Sequence, residues 1–255
     1  MIVERDSNLA KEVLLVTGSD TGVGKTVFTG LLGRYLNDNG VVSRLAKPFC
    51  SGGRGDVDFL ARCCALSASE VNYWYDDEPV SPMAWELRTG KKVDFEGCVK
   101  WLIKEKGRGK KEGNDGMILV EGVGGFLAPL AKGETVASLS QALGAKLIVV
   151  ASNQVGVVNH VLLTLEASMA LGVSVACVVL IEQENPDSSS VGNAELIRMN
   201  MPSINCFKGV FNFPWLGKGA DDPDLIPINV KKADSVLEEI FDEVFKPYFI
   251  NVLRN

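Results

Sequence analysis

Residues 13–28 read Val-Leu-Leu-Val-Thr-Gly-Ser-Asp-Thr-Gly-Val-Gly-Lys-Thr-Val-Phe. An apolar run rich in β-branched residues, Val13 to Val16, meets a glycine-rich turn, and Lys25-Thr26 then opens an amphipathic stretch. Strand, glycine loop, helix is the order a phosphate-binding loop needs. Glycines let successive backbone N–H groups converge on an oligophosphate. The helix N-terminus adds donors and a positive dipole end, the lysine a mobile charge, and the threonine hydroxyl a ligand for Mg2+. The spacing departs from Gly-x-x-x-x-Gly-Lys-Thr, because Ser19 holds its first position and Gly18 lies one residue early. Gly22, Gly24, Lys25 and Thr26 between a strand and a helix still outweigh the plain alternative, a glycine turn with an exposed lysine.

The 255 residues can bury one large core, so a single domain over 1–255 is expected. A net charge of −6 argues against a nucleic-acid partner, which requires clustered Lys and Arg. The basic run 104–111 is broken by Glu105, Gly107 and Gly109 and reads as a solvated connection. Six cysteines show no C-x-x-C spacing, and one histidine leaves a Cys/His metal site without ligands. Glu4, Arg5 and Asp6 interrupt any signal-like apolar run, so a reducing, cytoplasmic location is expected. No apolar stretch is long and uncharged enough to span a bilayer, which excludes a membrane partner at this stage.

Further strand-then-helix units follow. Apolar spacing predicts a helix over Val27–Leu36 stopped near Gly40, and a strand over Val41–Ala46 ending in Lys47-Pro48. The proline keeps Lys47 extended, so the lysine emerges at a strand end, where parallel sheets hold ligands. A loop Ser51–Asp56 precedes a helix from about Val57; Asp56 is either that helix's N-cap or a Mg2+ ligand, with Asp58 its close competitor. A short helical pattern ends at Gly90, residues 94–106 read as a helix, and 107–116 as an exposed connection. Met117–Val120 is a buried strand delivering Glu121 into Gly122-Val123-Gly124-Gly125, a natural partner for Mg2+. After a strand at Lys146–Ala151, the turn Asn153–His160 opens a helix to about Leu171; its unpaired N–H groups suit an anion such as a carboxylate. His160 reads as a structural residue of the first helical turn. Strands at Val173–Ile181 and Cys206–Phe211 and one amphipathic helix over 229–246 complete the chain. The fold class is α/β: a mostly parallel sheet with helices on both faces, of the P-loop NTPase kind.

Several separated motifs, in this order, resemble the dethiobiotin synthetase family. They are Thr17 to Thr26, Lys47-Pro48 with Ser51-Gly52, Ser81-Pro82, Val120 to Gly125, Gly156 to His160, and Pro214-Trp215-Leu216. The longer phosphate loop is itself that family's form. The resemblance implies that CO2 (from bicarbonate) joins one amine of 7,8-diaminononanoate as a carbamate. The carbamate attacks the γ-phosphate of ATP, and the second amine then closes a cyclic urea. It implies nucleotide contacts from Gly22, Val23, Gly24, Lys25, Thr26, Val27, Asp56, Glu121, Gly122, Val123, Gly124 and Pro214 to Leu216. Lys25 and Lys47 act on the transferring phosphoryl group, and Thr26, Asp56 and Glu121 surround Mg2+. Substrate contacts fall to Thr21, Lys47 and Ser51, and the substrate's carboxylate to Val155, Gly156, Val157 and Asn159 of a partner subunit, hence a homodimer. One position departs: the asparagine that reads the adenine edge in the family is Ile181 here, with Gln183, Asn185 or Asn212 the candidates to take its place. A nucleotide-switch ATPase of the chromosome-partitioning kind is the competing class; it needs a lysine early in the loop, where this chain has Asp20.

Overall fold

The computed structural model describes residues 13–41, 43–108 and 117–246. β1 (Val13–Gly18) and α1 (Lys25–Asp38) are followed by β2 (Ser43–Ala46), β3 (Phe49–Ser51), α2 (Gly55–Cys63), α3 (Ala68–Val71), β4 (Trp74–Asp76), α4 (Pro82–Thr89) and α5 (Phe95–Arg108). Next come β5 (Met117–Gly125), β6 (Pro129–Ala131), β7 (Glu134–Thr135), α6 (Val136–Leu143), β8 (Lys146–Ser152), α7 (Val157–Ala170), β9 (Val175–Ile181), α8 (Asn193–Asn200) and β10 (Val210–Phe213). A 3₁₀ turn (Pro223–Leu225), α9 (Ile226–Lys232), α10 (Asp234–Ile240) and a π turn (Phe241–Phe245) close the described chain.

Six strands pair in the order β10-β9-β8-β1-β5-β2, every pair parallel. β1 is buried along its whole length because it lies inside the sheet and both its faces are covered. Alternation divides its side chains between two cores. Leu14 and Val16 pack with Phe28, Leu32, Phe59 and Leu237 from α1, α2 and α10. Val13 and Leu15 pack on the opposite face with Leu102, Leu139, Val161 and Leu165 from α5, α6 and α7. Among the described residues no helix is long and apolar enough to cross a membrane.

Register brings the chemistry together. Ala46 pairs with Val120 across β2 and β5, so the next residues, Lys47 and Glu121, stand side by side at the sheet's carboxyl edge. Val16 pairs with Glu121 itself, which places the start of the phosphate loop on the same carboxyl edge.

Several expectations change. The helix after the phosphate loop begins at Lys25 rather than Val27, capped by Gly24 in the left-handed region (φ 90°), where a side chain would be strained. The last sheet strand is Val210–Phe213, not Cys206–Phe211: Cys206 has φ 69°, a left-handed conformation that does not fit an extended strand. The helix expected over 229–246 starts at Ile226 and breaks at Ala233, whose buried backbone leaves helical geometry (φ −96°, ψ 4°). Val42 and most of the 107–116 connection lie outside the described residues, as does the segment around Glu4 to Asp6.

Candidate active site

A cavity of about 420 Å³ opens at the carboxyl edge of β1, β2 and β5. Its wall comprises Thr21, Gly22, Gly24 to Val27, Lys47, Phe49 to Ser51, Asp56, Glu121 to Gly124, and Asp221. The backbone approaches itself closely here: a Cβ at Gly18 would collide with the Asp20 carbonyl and stand 2.7 Å from Lys25 Nζ. Only glycine allows the strand to turn so tightly into the loop. Lys25 is buried and donates to the Asp20 carbonyl at 2.9 Å. Burial pushes its ammonium below the usual lysine value, an effect that Glu121 opposes and Lys47 reinforces.

Glu121 is the centre of the polar cluster. It is fully buried, so a solvated turn glutamate is excluded. Its Oε1 accepts from Thr26 Oγ1 at 2.7 Å and from Lys47 Nζ at 2.7 Å. Its Oε2 is buried with no partner. Lys47 also contacts Asp56 Oδ2. Burial alone would depress the Lys47 ammonium, but Glu121 and Asp56 outweigh it and hold its pKa well above the ordinary value. The Lys47 backbone is fixed as well: its N–H donates to the Val71 carbonyl at 2.7 Å, and Asn72 Nδ2 donates to its carbonyl at 2.8 Å. Asn72 was not legible as a site residue, since nothing in its sequence surroundings marks it.

The choice between Asp56 and Asp58 is geometric. Asp56 lies on the cavity wall in the first turn of α2, while Asp58 is exposed and off that wall. Asp56 is not the N-cap: α2 begins at Gly55 behind Arg54, and the Asp56 carboxylate is engaged by Lys47. Glu121, Asp56 and the Thr26 hydroxyl are hard oxygen donors. Together with the orphaned Glu121 Oε2, they fit a divalent cation such as Mg2+.

At the Ser51 end of the cavity, Cys50 Sγ donates to the Gly53 carbonyl at 3.2 Å, which ties down the turn after Ser51. Burial pushes the Cys50 thiol up, so it stays protonated. The Arg54 guanidinium stacks 3.8 Å from the Tyr75 ring centroid, and Tyr75 in β4 pairs with Cys50 in β3. Ser81-Pro82 serves locally as an N-cap: Ser81 Oγ accepts from the Ala84 N–H at 3.2 Å, with Pro82 in the first turn of α4.

Other expected residues lie apart. The Val23 side chain is buried in the core, leaving its backbone for a ligand. Pro214, Trp215 and Leu216 are off the cavity wall; the loop they begin brings Asp221 to it instead. Asp221 was missed because an acidic residue in a polar loop carries no local signal. Val155, Gly156, Val157 and Asn159 lie at the start of α7, away from this cavity. Two of their N–H groups are not unpaired as expected: Val155 N–H donates to Asp187 Oδ2 at 2.7 Å and Val157 N–H to the Gln154 carbonyl at 3.1 Å. His160 is exposed in the first turn of α7. Ile181 ends β9 against the phosphate loop, its Cγ1 3.4 Å from where a Cβ on Gly24 would stand. Gln183 Nε2 folds back onto the Ile181 carbonyl at 2.8 Å.

A family model described as "AAA domain" matches residues 12–225. Three curated relatives carry the name ATP-dependent dethiobiotin synthetase BioD. That of Anaeromyxobacter sp. (strain Fw109-5) is 36% identical over 194 residues, covering 73% of this chain and 84% of the relative. That of Rhodococcus jostii (strain RHA1) is 35% identical over 203 residues, covering 78% and 83%. That of Corynebacterium glutamicum (strain R) is 35% identical over 188 residues, covering 71% and 80%. A sheet edge that joins a phosphate loop to Lys47 and Glu121 and these extended identities agree: the chain belongs to the ATP-dependent dethiobiotin synthetase family.

Proposed function

We propose that this chain forms dethiobiotin from 7,8-diaminononanoate and CO2 at the expense of ATP, releasing ADP and phosphate. One amine takes up CO2 and loses a proton, giving a carbamate. A carbamate oxygen attacks the γ-phosphorus as the bond to ADP breaks. The second amine then attacks the carbamoyl carbon, and phosphate leaves as the cyclic urea closes. The observation that carries this reading is the Lys47 ammonium, buried at the sheet edge beside the phosphate loop and fixed between Glu121 and Asp56. Charge moves from carbamate to phosphate to leaving group, so a fixed cation serves this reaction better than a strong base does. Lys25 and the loop amides hold the terminal phosphates, Thr21 and Ser51 face the diamine end, and Asp221 offers a carboxylate to a hydroxyl-bearing part of the nucleotide. Mg2+, held by Thr26, Asp56 and Glu121, would neutralise phosphate charge when bound.

The reading extends to a homodimer. The start of α7 is off the phosphate cavity, and the surface around it exposes Val155 (75%), Leu163 (60%) and Leu127 (57%). A second copy covering this apolar surface would bring its own Gly156 to Asn159 turn to the substrate's carboxylate. The free thiols of Cys50, Cys63, Cys64, Cys98, Cys177 and Cys206 suit a reducing, cytoplasmic setting. The test is product formation by purified protein with diaminononanoate, bicarbonate, Mg2+ and each ribonucleoside triphosphate in turn. Dethiobiotin with stoichiometric phosphate is expected; no product with any of the four refutes the assignment.

A further inference from the structure

The loop over residues 214–222 connects β10 to the 3₁₀ turn and carries Asp221 onto the cavity wall. Two of its glycines adopt positive φ, Gly217 at 105° and Gly219 at 71°, so its own backbone preferences hold it weakly. Its position is set from outside, by α9. Asn229 Nδ2 donates to the Ala220 carbonyl at 3.1 Å, one residue before Asp221. Asn229 is 1% exposed, and its Oδ1 has no partner. A buried amide kept with an unpaired oxygen marks a contact that its hydrophobic surroundings do not account for. Lys232 Nζ donates to the Leu216 carbonyl, also at 3.1 Å, at the start of the same loop. On the other side the loop meets the segment after β9 through an exposed ion pair, Lys218 with Glu184 at 3.5 Å.

We propose that Asn229 and Lys232 are positioning residues for the nucleotide. By holding the Ala220 and Leu216 carbonyls, they pre-form the wall that carries Asp221, so the loop is ordered before ligand arrives. Pre-ordering raises affinity by removing an ordering cost that binding would otherwise bear. The two α9 contacts outweigh the Lys218–Glu184 pair, because they hold the loop's main chain directly from part-buried positions, whereas a solvated ion pair is replaced by water. The proposal rests on the reading of this cavity as a nucleotide site.

The experiment is calorimetric titration of Mg-ATP into the wild-type protein and into Asn229→Ala, Lys232→Met and Lys218→Met, with steady-state kinetics on each. The expected Kd for Mg-ATP rises about tenfold in Asn229→Ala and about threefold in Lys232→Met. It stays within about twofold in Lys218→Met. At saturating nucleotide, kcat and the KM for the diamine are expected to match wild type in all three. Mg-ATP binding at wild-type affinity in both α9 variants overturns the proposal, as does a fall in kcat that accompanies the loss of affinity. If Asn229→Ala does not fold, Lys232→Met decides the matter, since its side chain ends near the surface. A wild-type protein that binds no Mg-ATP removes the functional reading and the positioning role with it; binding by wild type with no change in the variants removes the positioning role alone.

Discussion

Replacing Lys47 by alanine removes the cation that touches both Glu121 and Asp56. Its ammonium is 2.7 Å from Glu121 Oε1 and in contact with Asp56, and the residue is 7% exposed. The first consequence is on the fold. Deleting one partner of a buried ion pair costs about 3–5 kcal/mol, and the lower end applies here because the Asp56 side chain, 47% exposed, relaxes into water. Glu121, fully buried, bears most of the loss. The second consequence is on the reaction. A fixed donor aimed at developing charge contributes about 10²–10³ in kcat, roughly 3–4 kcal/mol. Lys25 and the loop amides are untouched, so the KM for ATP stays within about threefold. The assay is steady-state dethiobiotin formation at saturating nucleotide and diamine, run below the unfolding temperature of the variant. Folded variant protein with kcat within about twofold of wild type refutes this use of the charge, and a rise in KM for ATP alone reassigns Lys47 to ground-state binding. The pH profile provides a further check. Because the folded pKa of Lys47 lies above its ordinary 10.5, its stabilising contact is fully present below that value and is lost as pH rises through the folded one. No limb of the wild-type kcat profile between about pH 6 and 9 belongs to Lys47.

Asp56→Ala is expected to raise the Mg2+ concentration for half-maximal rate by about tenfold or more, and Asp58→Ala to leave it unchanged; equal effects would show that cavity position does not decide between them. Ile181 offers no side-chain hydrogen bond at the end of β9, so discrimination among ATP, GTP and CTP is expected to be weak, and Ile181→Asn to favour ATP by about tenfold in kcat/KM. An unchanged ratio in that variant would move base recognition elsewhere. Glu70→Ala removes the reciprocal cap of α3 and one partner of Arg44, lowering stability by about 1 kcal/mol at pH 7. The Ser67 N–H and hydroxyl, then Arg44, hold the Glu70 carboxyl down at about 2 against an ordinary 4.5, so its contribution is present above 4.5 and lost as pH falls towards about 2. The thermal-melting difference between wild type and variant should therefore close over that interval; a constant difference would rule out the carboxylate as its source.

The phosphate loop, β5 with Glu121, and Lys47 at a strand end were legible because each rests on local chemistry: β-branched runs, glycines at a turn, a proline fixing its neighbour. The small β3–β4 sheet was not, because three residues at Phe49–Ser51 pair with three at Trp74–Asp76, and so short a pairing leaves no period in either segment. α6 and α8, eight residues each, were not read either, whereas α4 of the same length was, because Ser81-Pro82 and Gly90 mark its two ends. Asp56 could not be separated from Asp58 until α2 fixed which of the two faces Lys47. The occupied Val155 N–H before α7 depends on Asp187, more than thirty residues away, and no local reading reaches that far. The break at Ala233 escaped for a related reason: the apolar stripe continues through it, and only tertiary packing bends the chain there.

The strand order also governs how this chain acquires its fold. β1 leaves the ribosome well before its partners: Val13 pairs with Ile118 and Leu14 with Lys146. Until β5 has been made this buried strand has neither neighbour, and the turn that follows it has no sheet edge to rest on. Distant pairing of this kind slows folding and leaves unpaired strand edges open to aggregation. The phosphate loop, although it precedes both partner strands in sequence, therefore becomes competent only after them. Nascent chains that stop short of Ser152 should fail to retain nucleotide, however complete their glycine loop.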